Sequence, residues 1–413
     1  MQYSCFFDTI YTESNSLFGG IMTLIIRKGK IFDAVHENPY IADICVKDGK
    51  IAAVGEDLNS EDEEVLEIDA EGLEIYPGFV EAHGHIGLDG YGIGFEGQDY
   101  NEMGDIISPQ LRAIDGIQPA DFAFREAAAA GITCVATGPG SANVLGGTFA
   151  AIKTSGRRVD DMIVKAEVAM KCAFGENPKR CYRNNGNSSR MSTAAKLRET
   201  LYKAKEYSDK LREAEEDPSK RPGYNMKLES LVPVIRGEMP LKAHAHQADD
   251  LFTAIRIAKE FNVKLTLEHC TEGHLIADLL AEEGYPVAVG PTFGNASKFE
   301  LRKKTWETPA ILDNAGCHVS IITDSPVIPQ KYLPICAGFA VAAGMSPFHA
   351  LRAITIHPAE HLGIADRVGS LEVGKDADIV ITDGCPFEID TKVVCVLIDG
   401  ISQPIDIEEF RPR

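Results

Sequence analysis

Between residues 79 and about 355, short apolar runs alternate with amphipathic helical stretches, and this alternation leaves few architectures open. The runs are Phe79–Ala82, Thr133–Thr137, Phe149–Lys153, Val164–Lys171, Pro240–His244, Lys264–His269, Pro286–Gly290 and His318–Asp324. Helical stretches between them include Ala120–Ala130, Asp249–Phe261 and Ile276–Glu283. Strands separated by helices pair in parallel, and eight such units close a barrel. The expected fold class is therefore α/β, a (β/α)8 TIM barrel. The longest helical stretch, Thr193–Glu216, follows a polar loop at Lys179–Arg190 and reads as an insertion after the fourth strand.

β patterning brackets the barrel. Leu24–Ile26 and Lys30–Phe32 flank a turn at Arg27–Gly29. Ile41–Val46 and Lys50–Val54 meet across Asp48-Gly49, a strong hairpin signal. Val65–Ile68 and Leu73–Tyr76 read as a further pair. Past residue 365, Gly369–Glu372, Ala377–Ile381 and Val393–Ile398 return to β patterning, with a turn at Asp399-Gly400. The simplest arrangement joins both ends in one composite small β-sandwich. Three parts are expected: an N-terminal tail at 1–22, the sandwich from 23–77 and 360–413, and the barrel over 78–359.

Net charge is −21 over 413 residues, which argues against nucleic-acid and anionic-membrane partners. Hydrophobic content of 44% and charged content of 25% suit a soluble globular protein. The ten cysteines show no CxxC spacing, and several sit in apolar runs. They read as reduced core residues of a cytoplasmic protein. No apolar run is long enough to span a bilayer, and the first residues lack the pattern of a signal peptide.

The chemistry gathers at the ends of the strands. Pro77-Gly78-Phe79-Val80-Glu81-Ala82-His83-Gly84-His85 closes an apolar run with two histidines one residue apart. On a strand, positions i and i+2 share a face, so His83 and His85 offer two imidazoles to one metal ion. Lys171, His244, His269 and Asp324 end the fourth, fifth, sixth and eighth runs. Barrel enzymes assemble their sites at these ends. Imidazole and carboxylate suit zinc and similar ions, and a carboxylate beside a metal-activated water can shuttle its proton. Lys171 reads either as a carbamate bridging two ions or as an ammonium paired with Glu167 or Glu176; Lys165 is a weaker candidate on the same run. His246 follows His244 at i+2, either as a ligand or as a group contacting substrate or stabilising an oxyanion. His274 is a candidate near the site. Lys179, Arg180 and Tyr182, on the loop after the fourth strand, are candidates to hold a substrate carboxylate.

The nonapeptide ending in His85, the histidines at 244 and 269, the strand ending in Asp324, Thr355-Ile356-His357-Pro358-Ala359 and the segment Gly369–Asp378 together resemble the amidohydrolase superfamily. Within it, the chain is most similar to the branch of imidazolonepropionase and the prolidase-like metal-dependent dipeptidases. The resemblance covers about residues 23 to 400. It implies the barrel with its composite sandwich and a hydrolase acting on an amide, cyclic amide or dipeptide C–N bond. It also implies His83, His85, His244, His269 and Asp324 as metal ligands, Asp324 doubling as proton shuttle, and favours His244 over His246 as the fifth-strand ligand. Lys171 matches the carboxylated lysine of the dipeptidase-like members. One or two zinc ions are implied, two if Lys171 is carboxylated. A small-molecule substrate and a homo-oligomer are expected. Competing readings are a ring deaminase releasing ammonia and a catalytically silent scaffold.

Overall fold

The computed structural model describes residues 23–406 apart from residues 63 and 93. The expected tail lies outside them. β1 (Thr23–Ile31) is one strand where two were expected; a bulge between Ile26 and Gly29 absorbs the anticipated turn. β2 (Tyr40–Lys47) and β3 (Lys50–Gly55) form the expected hairpin, with Asp48 and Gly49 both at positive φ. β4 (Val65–Asp69) and β5 (Glu74–Pro77) do not pair with each other. Both run parallel to β1, which is long enough to take β4 along its first half and β5 along its end.

The barrel follows: β6 (Phe79–Gly84), β7 (Ile132–Thr137), β8 (Leu145–Lys153), β9 (Ile163–Ala173), β10 (Leu241–Ala245), β11 (Leu265–His269), β12 (Val287–Val289) and β13 (Val319–Ile321). They form one sheet in sequence order, and its two edges meet. There His85 N donates to Ser325 O at 2.7 Å, and Thr323 N donates to Glu81 Oε2 at 2.9 Å. All eight expected strands are present, but β8 runs antiparallel to both neighbours. The seven residues 138–144 between β7 and β8 are too few for the crossover that a parallel partner requires. That hairpin loop therefore lies at the barrel mouth.

Outward faces of the strands pack on the helices. The helix Ala248–Phe261 buries Leu251, Ala254, Ile255, Ala258 and Phe261, one face of a 3.6-residue period, in the same cluster as Leu241, Ala243, Leu265 and Leu267. It ends at Asn262, which is left-handed. The long helix spans Arg190–Glu216 and starts in a Ser189–Ser192 capping box. The stretch expected as a polar loop carries a short helix, Glu176–Cys181.

β14 (Ile379–Thr382) pairs antiparallel with β5 and with β15 (Val393–Ile398), which turns at Asp399-Gly400 into β16 (Ile401–Ser402). Both ends of the described chain thus share one sheet. Gly369–Glu372 is not a strand; it packs as a loop, with Leu371 N bonded to Asp33 O. The nine described cysteines are free. No helix among the described residues is long and apolar enough to cross a membrane.

Candidate metal centre at the barrel mouth

His83 lies in β6 and His85 one step beyond it. Each has its Nδ1 committed to the wall. His85 Nδ1 donates to Gly138 O at 2.8 Å, and His83 Nδ1 donates to Glu268 Oε2 at 3.0 Å. In a neutral ring this leaves the lone pair on Nε2. Both Nε2 atoms face Asp324 Oδ1, at 3.2 Å from His85 and 3.7 Å from His83. Asp324 Oδ1 is buried without a hydrogen-bond partner. Burial raises the Asp324 pKa, but His269, then His85 and His83, draw it below the ordinary carboxylate range. Lone pairs facing a carboxylate oxygen repel unless a cation or proton lies between them.

A second group converges beside the first. The ring nitrogens of His244, His246 and His269 lie within 4.8 Å of one another. His269 Nδ1 donates to Gly290 O at 2.8 Å, and its Nε2 is buried without a partner. His244 Nδ1 meets Ser141 Oγ at 2.8 Å, and His246 Nδ1 meets Thr271 Oγ1 at 2.7 Å. Burial, chiefly, holds His83, His244 and His246 well below the usual imidazole pKa and His269 at about 4. Neutral imidazoles are metal-binding imidazoles. The donor set of five imidazoles and a carboxylate, with buried Asp324 Oδ1 and His269 Nε2 lacking partners, fits divalent ions of the zinc type.

Lys171 is fully buried, with Nζ 3.0 Å from His83 Nε2. Burial outweighs the pull of Asp324 and Glu268 and lowers its pKa to about 7. Neither expected carboxylate partner reaches it. Glu167 pairs with Arg112, and Glu176 is drawn to the backbone N–H of Glu300. Lys165 is exposed.

The other candidates divide. Lys179 and Arg180 are exposed and line a pocket of about 710 Å³ with Glu176, Arg183, Ser188, Arg190 and Phe299. That helix starts at the site, where Asn177 Nδ2 lies 3.4 Å from His244 Nε2. Tyr182 is instead buried, its hydroxyl donating to Glu102 O and accepting from Asn143. His274 stands apart from both histidine groups, with Nδ1 on Thr308 Oγ1 at 2.9 Å.

Several residues of the site escaped the sequence reading. Glu268 holds His83 and also meets Lys242 Nζ at 2.9 Å and His361 Nε2 at 2.9 Å, all deep in the barrel. Lys242 precedes His244 by two residues, so the period of two that placed that ligand marks it as inward as well. Glu268 lies one residue before His269, so the same period counted from that ligand points it outward; it faces inward beside His269 because the chain leaves its strand there at φ +76. Glu300, on the turn Phe299–Leu301 after β12, has Oε1 3.8 Å from His244 Nε2 and 3.7 Å from His246 Nε2. Nothing in its local sequence signals that.

The sequence model of the amidohydrolase family matches residues 75–402. An amidohydrolase of Thermotoga maritima of known structure is 39% identical, covering 92% of this chain and 99% of its own, with a TM-score of 0.88. The amidohydrolase tasK of Hapsidospora irregularis is 29% identical over 88% of this chain. This chain spans only 40% of that relative's length. A Xaa-Pro dipeptidase with methionine in its active site shares the fold, with a TM-score of 0.56 and 17% identity over 92% of this chain and 99% of its own.

Proposed function

This chain belongs to the amidohydrolase family, and we propose that its barrel mouth hydrolyses the C–N bond of a small amide, cyclic amide or dipeptide. One observation carries the reading: Asp324 Oδ1, buried and without a hydrogen-bond partner, faces the Nε2 atoms of His83 and His85. These three residues would hold one divalent ion, with His244 and His269 holding a second. A zinc ion bound there supplies Lewis acidity and lowers the pKa of water from 15.7 to roughly 7. Asp324 takes the proton of the attacking water and returns it to the leaving nitrogen. Lys171, whose pKa burial lowers to about 7 so that much of it is the free amine near neutral pH, would add to carbon dioxide with loss of a proton, and the carbamate would serve as an anionic ligand between the two groups. His246, whose ring nitrogen lies within 4.8 Å of those of His244 and His269, would be the third imidazole of that second set. Lys179 and Arg180, at the rim, pair with a substrate carboxylate. Tyr182 and His274, whose polar atoms are already engaged, fall outside this set.

The test combines metal analysis with a hydrolysis screen over N-acyl amino acids, dipeptides and cyclic ureides, with ammonia assayed alongside. Turnover should vanish on chelation and return with zinc. Asp324→Asn should keep most of its metal and lose about 10²–10⁴-fold in rate, the span of a general acid–base group. Turnover that survives complete metal removal would sink the reading.

A further inference from the structure

Asp324 closes the His83–His85 group with a carboxylate, and Glu300 stands in the same relation to the second group. Its side chain is 1% exposed, although it comes from a loop. Oε2 accepts from the backbone N–H of Glu176 at 2.9 Å. It rests against bare backbone: a Cβ on Gly175, which sits at φ +76, would stand 2.6 Å from it. The loop after β9, the strand of Lys171, is thus shaped to seat this carboxylate. Oε1 is left pointing at His244 and His246, nearly equidistant from their Nε2 atoms at 3.8 and 3.7 Å. Ligand atoms each about 2.1 Å from a tetrahedral ion lie about 3.4 Å apart, so shifts of a few tenths of an ångström would bring Oε1 to that spacing from each of the two imidazole nitrogens.

The remaining neighbour is Lys298. Its Nζ lies 2.7 Å from Glu300 Oε1 and 3.1 Å from Asn177 Oδ1, at the edge of the group and 14% exposed. The ammonium balances the carboxylate, and it sits on a long flexible stem that can swing outward.

We propose that Glu300 is a metal ligand of the His244–His246–His269 group, held by Lys298 until an ion takes the place of that ammonium. The proposal rests on the metal-centre reading above and adds to it a carboxylate ligand from the loop after β12. In a purely structural role, Glu300 and Lys298 would be a clamp between two loops. The two roles predict opposite effects of removing the lysine.

The experiment is competition between a chelator and metal-depleted protein, titrated with zinc and, for its visible spectrum, with cobalt. Wild type, Glu300→Gln and Lys298→Met are compared, each with its melting temperature. Gln keeps an oxygen for the Glu176 N–H but loses the charge. Glu300→Gln should weaken one of two ions about 10- to 100-fold and change the cobalt spectrum, leaving the other ion in place. Lys298→Met should bind that ion more tightly than wild type, because a competing cation is gone. Unchanged affinities in folded Glu300→Gln overturn the proposal, as does equal or weaker binding by Lys298→Met, a readout that stands even if Glu300→Gln fails to fold. Wild-type protein that binds no ion removes the hydrolase reading as well. Wild-type protein whose ions ignore Glu300 removes this inference alone.

Discussion

Glu268 shows what one residue contributes at this site. It is fully buried, and its carboxylate takes hydrogen bonds from His83, Thr266 and His361 beside the Lys242 ammonium. Burial would raise its pKa, yet Lys242 and His361 hold it well below the usual value, so it stays an acceptor. That fixes the His83 tautomer with Nε2 toward the mouth. Carboxylates that orient a ligating imidazole typically matter about 10- to 100-fold in metal affinity. Glu268→Gln should therefore bind zinc more weakly by that factor, as chelator competition would measure; full affinity would assign Glu268 to the barrel floor alone. Lys171 makes a prediction about pH. Its folded pKa is depressed from 10.5 to about 7, so its favourable contribution is complete above 10.5 and is lost as pH falls through 7. Metal-free wild type should lose melting temperature relative to Lys171→Met between about pH 10 and pH 6. A constant difference across that range would mean that Lys171 titrates normally.

At the scale of elements, the reversal of β8 matters most. Because β8 runs down the barrel, the loop 138–144 lies at the mouth, where Gly138 O holds His85 and Ser141 Oγ meets His244. The sequence showed a third apolar run there but not its direction. Direction follows from the length of the connection, and the run begins four residues earlier than its apolar core suggests. His269 and Asp324 also depend on element ends: both sit at positive φ, 76° and 53°, as the chain leaves its strand. Gly290 serves the first of them. It adopts φ +147, a Cβ there would lie 2.1 Å from Ile322 O, and its own carbonyl accepts from His269 Nδ1. Gly290→Ala should cost roughly 1–3 kcal/mol of stability and weaken metal binding together, measured by denaturant unfolding and zinc competition. A stable variant with full affinity would show that the loop relaxes freely.

For the whole molecule, the decisive contact joins the barrel to the terminal sheet. Lys153 at the end of β8 is buried and meets Asp376, Asp378 and Asp399 at 3.0, 2.8 and 3.0 Å. Burial opposes its charge, but the three carboxylates raise its pKa. Asp376 keeps Lys50 and Arg367 and Asp399 is partly exposed, but Lys153→Met leaves the buried Asp378 without its cation and should destabilise the protein by about 3–5 kcal/mol. Equilibrium unfolding would measure it, and a loss under about 1 kcal/mol would mean that the Lys153 cluster does not carry the coupling between barrel and terminal sheet.

What the sequence alone determined is local. Period-two spacing put His83 and His85 on one strand end, Asp48-Gly49 made a hairpin, and eight apolar runs at strand length made eight barrel strands. These follow from interactions between near neighbours, so they are legible along the chain. Only closure of the barrel decided that Asp324 faces His83 and His85, that Glu268 reaches His83 across the interior, and that Glu300 folds in from a loop. Those contacts join residues dozens to hundreds of positions apart, and their burial and distances exist only once the sheet has met itself.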